Sequence, residues 1–146
     1  MLIKNPVDLS KSITHRNRIK LSRLNQRRVT VGIHRKDNTN YPGRDVTVAK
    51  VGFYHEYGTS SLPARIWLRI FSLISEERKK FLDKLSQTLI KQDDANYILK
   101  EIGQYQKDRI KERILSNQVT PPSKKASGIT LVDEGYLVDS VDYEVH

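Results

Sequence analysis

Residues 53–69, FYHEYGTSSLPARIWLR, bring together the side chains of this chain that could do chemistry at close spacing. His55 and Glu56 are adjacent, two serines follow at 60 and 61, and Arg65 lies just beyond. A histidine beside a carboxylate could be an acid–base pair, or the first half of the H-E-x-x-H zinc motif. That motif needs a second histidine on the same helical face, and its fifth position here is Thr59. The other histidines, His15, His34 and His146, stand alone in the sequence. A nucleophile is no better supported. Cysteine is absent, and no serine lies in a G-x-S-x-G elbow. The seven glycines form neither a P-loop nor a dinucleotide-binding pattern.

The same stretch reads well as a structural corner. Gly58 ends a preceding helix, because a left-handed backbone costs least at glycine. Thr59, Ser60 or Ser61 satisfies free backbone donors in the turn. Pro63 stiffens the exit by fixing its own φ. Arg65 presents a planar fork that could hold the Glu56 carboxylate across the turn. Trp67, Leu68, Ile70 and Phe71 then anchor the chain in a core. This reading uses every residue type in the stretch, so the sequence predicts no catalytic residue, no metal and no cofactor.

The elements that must hold the corner follow from periodicity. Residues 8–26 read as a helix, with Leu9, Ile13, Leu21 and Leu24 at helical spacing and bases on the other faces. At 28–35 the period changes: Val29, Val31 and Ile33 alternate with Thr30, Gly32 and His34, which predicts a half-buried strand. A loop follows, then a helix over 46–57 that Asp45 could cap. Residues 70–91 read as one continuous helix with Ile70, Ile74, Phe81, Leu82, Leu85 and Leu89 in a single stripe. Residues 94–116 read as another, with Ile98, Leu99, Ile102, Ile110 and Ile114 inward behind an acidic start. The polar segment around 117–130 is expected to be a flexible loop. A short helix near 134–139 and a closing strand with Val141, Tyr143 and Val145 on one face complete the chain. The expectation is one α+β domain over 1–146. In it a small antiparallel sheet is packed by an N-terminal helix, a short motif helix and two long helices.

Charge is distributed unevenly. Residues 1–36 hold ten Lys or Arg and one acid, whereas residues 37–146 are balanced at sixteen of each. The last fourteen residues carry five acids and no Lys or Arg. Lys11, Arg16, Arg18, Lys20 and Arg23 on the first helix are candidates for contact with DNA or with a neighbouring subunit. The absence of cysteine fits a reducing compartment, the start lacks the apolar run of a secretory signal, and no apolar run could span a bilayer.

The corner resembles a motif of tailed-bacteriophage neck proteins. These are the tail-completion or head–tail joining proteins, including the minor tail protein Z type and related tail-component and virion-morphogenesis families. Their pattern is h-E-F/Y-G-T, then I/L-P-A-R-P-F/W-L-R. Here His55, Glu56, Tyr57, Gly58, Thr59, Leu62, Pro63, Ala64, Arg65, Trp67, Leu68 and Arg69 match it, with Ile66 in place of the second proline. A second match lies further on: Pro121, Ser123 and Lys125, then Leu131, Asp133, Gly135, Leu137, Ser140, Val141, Tyr143 and Val145, with Glu134 where the family has threonine. The resemblance implies a non-enzymatic virion component that forms a homo-oligomeric ring. It would dock to connector, head-completion, tail-tube or terminator proteins at the neck, be assembled in the bacterial cytoplasm, and have DNA as a possible neighbour in the lumen. The alternative from charge alone is a basic nucleic-acid-binding module. Against it, no aromatic interleaves with the bases at 11–36 to stack on single strands.

Overall fold

The computed structural model describes residues 15–122 and 135–146. Its element order is α1 (His15–Asn25), β1 (Val29–Gly32), a 3-10 turn (Arg35–Asp37), α2 (Val48–Tyr57), α3 (Ile70–Leu73), α4 (Ser75–Lys91), α5 (Ala95–Leu115), α6 (Tyr136–Asp139) and β2 (Asp142–Val145). β1 and β2 pair antiparallel, with Val29 opposite Val145 and Val31 opposite Tyr143. The architecture is α+β, as the alternating valines predict.

α5 lies across the sheet, and one residue sets how closely. Gly103 sits in the middle of that helix, where a Cβ would meet the Tyr143 ring and approach Val29 Cγ2 to 2.8 Å. A helix-interior glycine costs about 1 kcal/mol against alanine in an open helix. Here the close approach outweighs propensity, so Gly103→Ala should destabilise the fold by about 2 kcal/mol through overpacking. Denaturant unfolding of the variant checks this; a gain in stability would mean that the helix and sheet part easily.

The main core joins Val48, Trp67, Ile70, Ile110, Ile114, Val119, Leu137 and Val141. It therefore takes residues from the corner, from α5 and from the last thirty residues of the sequence. Val119 fixes the start of the segment expected to be a flexible loop: residues 117–122 are anchored, and the remainder of that segment, 123–130, lies outside the described residues.

Several boundaries differ from expectation for definable reasons. The helix over 70–91 is broken at Ile74, whose backbone is extended (φ −109°, ψ 113°), consistent with the strand preference of a β-branched residue. The break lets Ile70 enter the core while α4 takes a new direction that buries Glu77 against α5. Leu82 faces outward, off the predicted stripe. The cap of α2 is Thr47, not Asp45: its hydroxyl accepts from Lys50 N at 3.3 Å, and Asn38 Oδ1 accepts from Ala49 N at 2.9 Å. Leu21 on α1 is 52% exposed, and that helix turns Lys20 inward instead.

Candidate functional site

The corner begins at α2. With Thr47 capping its start and Gly58 its end, the helix points Glu56 into the protein and Phe53, Tyr54 and Tyr57 outward. Gly58 is needed twice over. Its φ is +77°, and a Cβ there would stand 2.8 Å from Ala64 N and 2.9 Å from Leu62 O. Thr59 forms the turn as expected: its Oγ1 accepts from Ser61 N and Leu62 N, and its own N donates to Leu62 O at 2.8 Å. Pro63 lies exposed on the outside of the bend. The chain then returns, and Arg65 N donates to His55 O at 2.6 Å.

Glu56 is 3% exposed and organises everything after the turn. Its Oε2 accepts from Trp67 N and Leu68 N, both at 2.9 Å; its Oε1 accepts from Arg69 N at 3.4 Å and Arg69 Nε at 2.8 Å. The arginine that meets the carboxylate is therefore Arg69, not Arg65. Three successive backbone N–H groups of a turning chain converge on one acceptor pair, and the next side chain adds its charge. Hydrogen bonding to Glu56 in turn raises the Arg69 pKa above its ordinary value. Trp67 seals the arrangement by donating Nε1 to Gly52 O at 2.9 Å.

Arg65 has a different task. Buried, it donates Nε to Pro121 O at 2.7 Å and Nη2 to Pro122 O at 3.4 Å, and its Nη1 lies 3.5 Å from His55 Nδ1. It ties the corner to the chain leaving α5. His55 thus sits against a guanidinium, while the carboxylate of its neighbour is saturated by other donors.

Outside the corner a groove of about 250 Å³ is lined by Ile33, Phe53, Glu56, Tyr57, Trp67 and Arg69, among others. Neither His55 nor Arg65 lines it. Phe53 is 58% exposed and Tyr57 53% exposed, with ring centroids 4.7 Å apart; the Arg69 guanidinium lies 4.4 Å from the centre of the Tyr57 ring.

No protein-family model, curated protein or solved structure matches the chain.

The second motif is partly placed. Asp133 lies outside the described residues. Gly135 takes a left-handed φ of +80° just before α6, Leu137 is buried in the core, Ser140 caps the end of α6, and Tyr143 packs from β2 over Gly103. The two motifs meet in space through Leu137, one methyl of which would lie 3.0 Å from a Cβ built on Gly52, beside Trp67.

The basic helix divides. Arg18 and Arg23 are exposed on α1, whereas Lys11 and the Arg16 side chain lie outside the described residues. Lys20 is not a surface contact. It is 8% exposed and donates Nζ to Leu89 O at 2.6 Å, to Gln92 O at 3.0 Å and to Asp93 Oδ1 at 3.3 Å. It satisfies carbonyls at the C-terminal end of α4, where the helix dipole favours a cation. Two acids of the C-terminal region are likewise engaged within the chain: Asp142 meets Lys107 and Lys36, and Glu144 meets Lys36.

Sequence spacing also hid a cluster. Strand pairing sets Thr30 opposite Glu144 and gathers two histidines that are far apart in sequence. The Nε2 atoms of His34 and His146 each lie 3.0 Å from Thr30 Oγ1, and 4.0 and 3.9 Å from Glu144 Oε2. The strand register was the only signal that could have revealed it. Among the described residues no three His, Cys, Asp or Glu side chains are arranged to hold a metal ion, and no helix is long and apolar enough to cross a membrane.

Proposed function

We propose that this chain is a structural subunit of a tailed-bacteriophage virion, a tail-completion or head–tail joining component. It acts by closing into a ring with copies of itself and docking between connector and tail. The observation that carries the reading is the use made of Glu56. The one carboxylate beside a histidine in the motif accepts four hydrogen bonds, three from successive backbone N–H groups and one from the Arg69 side chain, so it has no lone pair directed at a substrate. A rigid corner with aromatic rings on its outer side suits a part whose work is fitting against neighbours. The resemblance of its two motifs to phage neck proteins names the neighbours.

A ring uses two different patches of each subunit. The exposed Arg18 and Arg23 supply one candidate patch. Native mass measurement and negative-stain imaging of the purified protein, alone and mixed with tail tubes, test the proposal: rings or capped tubes are expected, and monomers that leave tubes bare would defeat it. Charge reversal at Arg16, Arg18 and Arg23 assigns the basic face. Loss of rings places it between subunits; intact rings with impaired DNA retention place it on the lumen. A steep salt dependence of duplex binding by a non-assembling monomer would instead favour the nucleic-acid-binding module.

A further inference from the structure

The groove beside the corner has three properties that together define what it accepts. Its floor is apolar, made by Ile33, Trp67 and Leu68. Its wall is the exposed Phe53–Tyr57 pair, which α2 holds away from the core. Its mouth carries Arg69, with an unusual division of labour within one guanidinium. The Nε–H is bonded to Glu56 at 2.8 Å and one face of the group lies over Tyr57. Among the described residues no acceptor meets its two terminal nitrogens, which leaves a planar pair of donors already fixed in orientation. Glu56, the only acid in the lining, is buried and ion-paired with Arg69, so the pair is neutral overall and the unbonded terminal nitrogens of Arg69 are its positive end.

We propose that this groove is a docking site for an extended protein segment carrying a bulky aliphatic side chain immediately before a carboxylate. The aliphatic group enters between Phe53 and the Trp67 floor, and the carboxylate accepts from the terminal nitrogens of Arg69. The fixed guanidinium reduces the entropy lost on forming that contact, and a planar fork suits a carboxylate better than a point charge does. Charge complementarity selects the acid. The apolar floor selects an aliphatic anchor over a polar one. The proposal stands on the groove and holds whether or not the chain serves a phage tail.

Trp67 is the single tryptophan, and it forms part of the floor, so its fluorescence reports occupancy directly. The probe is the acetylated peptide Leu-Val-Asp-Glu-Gly, an aliphatic–acid order that occurs in this chain at 131–135. It is titrated into the full-length protein beside its amide twin Leu-Val-Asn-Gln-Gly. Saturable binding with a Kd on the order of 100 µM is expected for the acidic peptide, weakened about tenfold in the amide twin. Phe53→Ala should weaken binding of the acidic peptide about fivefold with an unchanged melting temperature, since that ring is outside the core. Arg69→Lys keeps a cation near Glu56 but removes the fork, and should bring the acidic peptide down to the affinity of its twin. Equal binding of the two peptides, or no saturation by about 1 mM, overturns the proposal. So does self-association that disappears in Phe53→Ala while neither peptide binds, because that assigns the groove to a second copy of the folded chain.

Discussion

Glu56→Ala should lower the thermal unfolding midpoint by roughly 10–15 °C, the larger of the two stability losses expected here. The carboxylate is buried, and its removal leaves the N–H groups of Trp67 and Leu68 without the acceptor that holds them at 2.9 Å. Leaving buried donors unpaired costs about 1–3 kcal/mol each, and two such donors set the scale of the loss. The loss should reach beyond the corner. Trp67 packs on Gly52 and lies in the main core, so its near-ultraviolet circular dichroism should collapse as the turn relaxes. Glu56→Gln is the informative partner variant. It keeps the shape and one acceptor oxygen but turns the other into a donor facing N–H groups, so most of the loss should remain. A Gln variant as stable as the parent would show that the charge and the second acceptor contribute little.

Glu77→Ala should cost about 3 kcal/mol, and the acid limb of the stability profile should change with it. Glu77 is buried at the start of α4. It accepts a bidentate contact from Arg109 on α5, at 2.8 and 2.7 Å, and a third from Arg113 at 3.4 Å. The hydrogen bonds from Arg109 outweigh the burial and hold the Glu77 carboxyl below its ordinary value; the Arg109 guanidinium is correspondingly raised. A carboxyl whose folded pKa is depressed adds stability above its unfolded pKa and loses it as pH falls through the folded value. The parent should therefore lose stability from about pH 5 downward, whereas Glu77→Gln should show a flatter acid limb from a lower starting point. Urea midpoints at several pH values distinguish these. Parallel curves for parent and variant would mean that the α4–α5 contact does not depend on this charge.

Much of the fold was legible because apolar periodicity survives in the final packing. Val29 and Val31 alternate into a strand, and Ile98, Ile102, Ile110 and Ile114 mark one buried face of α5. What was not legible depends on which partner wins when several are chemically equivalent. Arg65 and Arg69 both follow Glu56 within one turn, and spacing alone favours neither. The three-dimensional path decides, since the chain returning from the turn, with Arg65 N bonded to His55 O, sets the Arg65 side chain against Pro121. Lys20 illustrates the same limit. On a helix rich in surface bases, nothing local separates the one that turns inward to the end of α4. The histidine cluster on the sheet was invisible for a second reason, because it depends on the register between β1 and a strand far along the chain.

That distance has a consequence for the order of folding. Thr30 and His146, joined across the sheet, are 116 positions apart, and closing so long a loop costs entropy before any contact repays it. Until β2 docks, the Gly103 notch of α5 stays open, with no Tyr143 ring to fill it. Helices form from neighbours in sequence, so the strand pair is expected to close after them, as the slow step of assembling this fold.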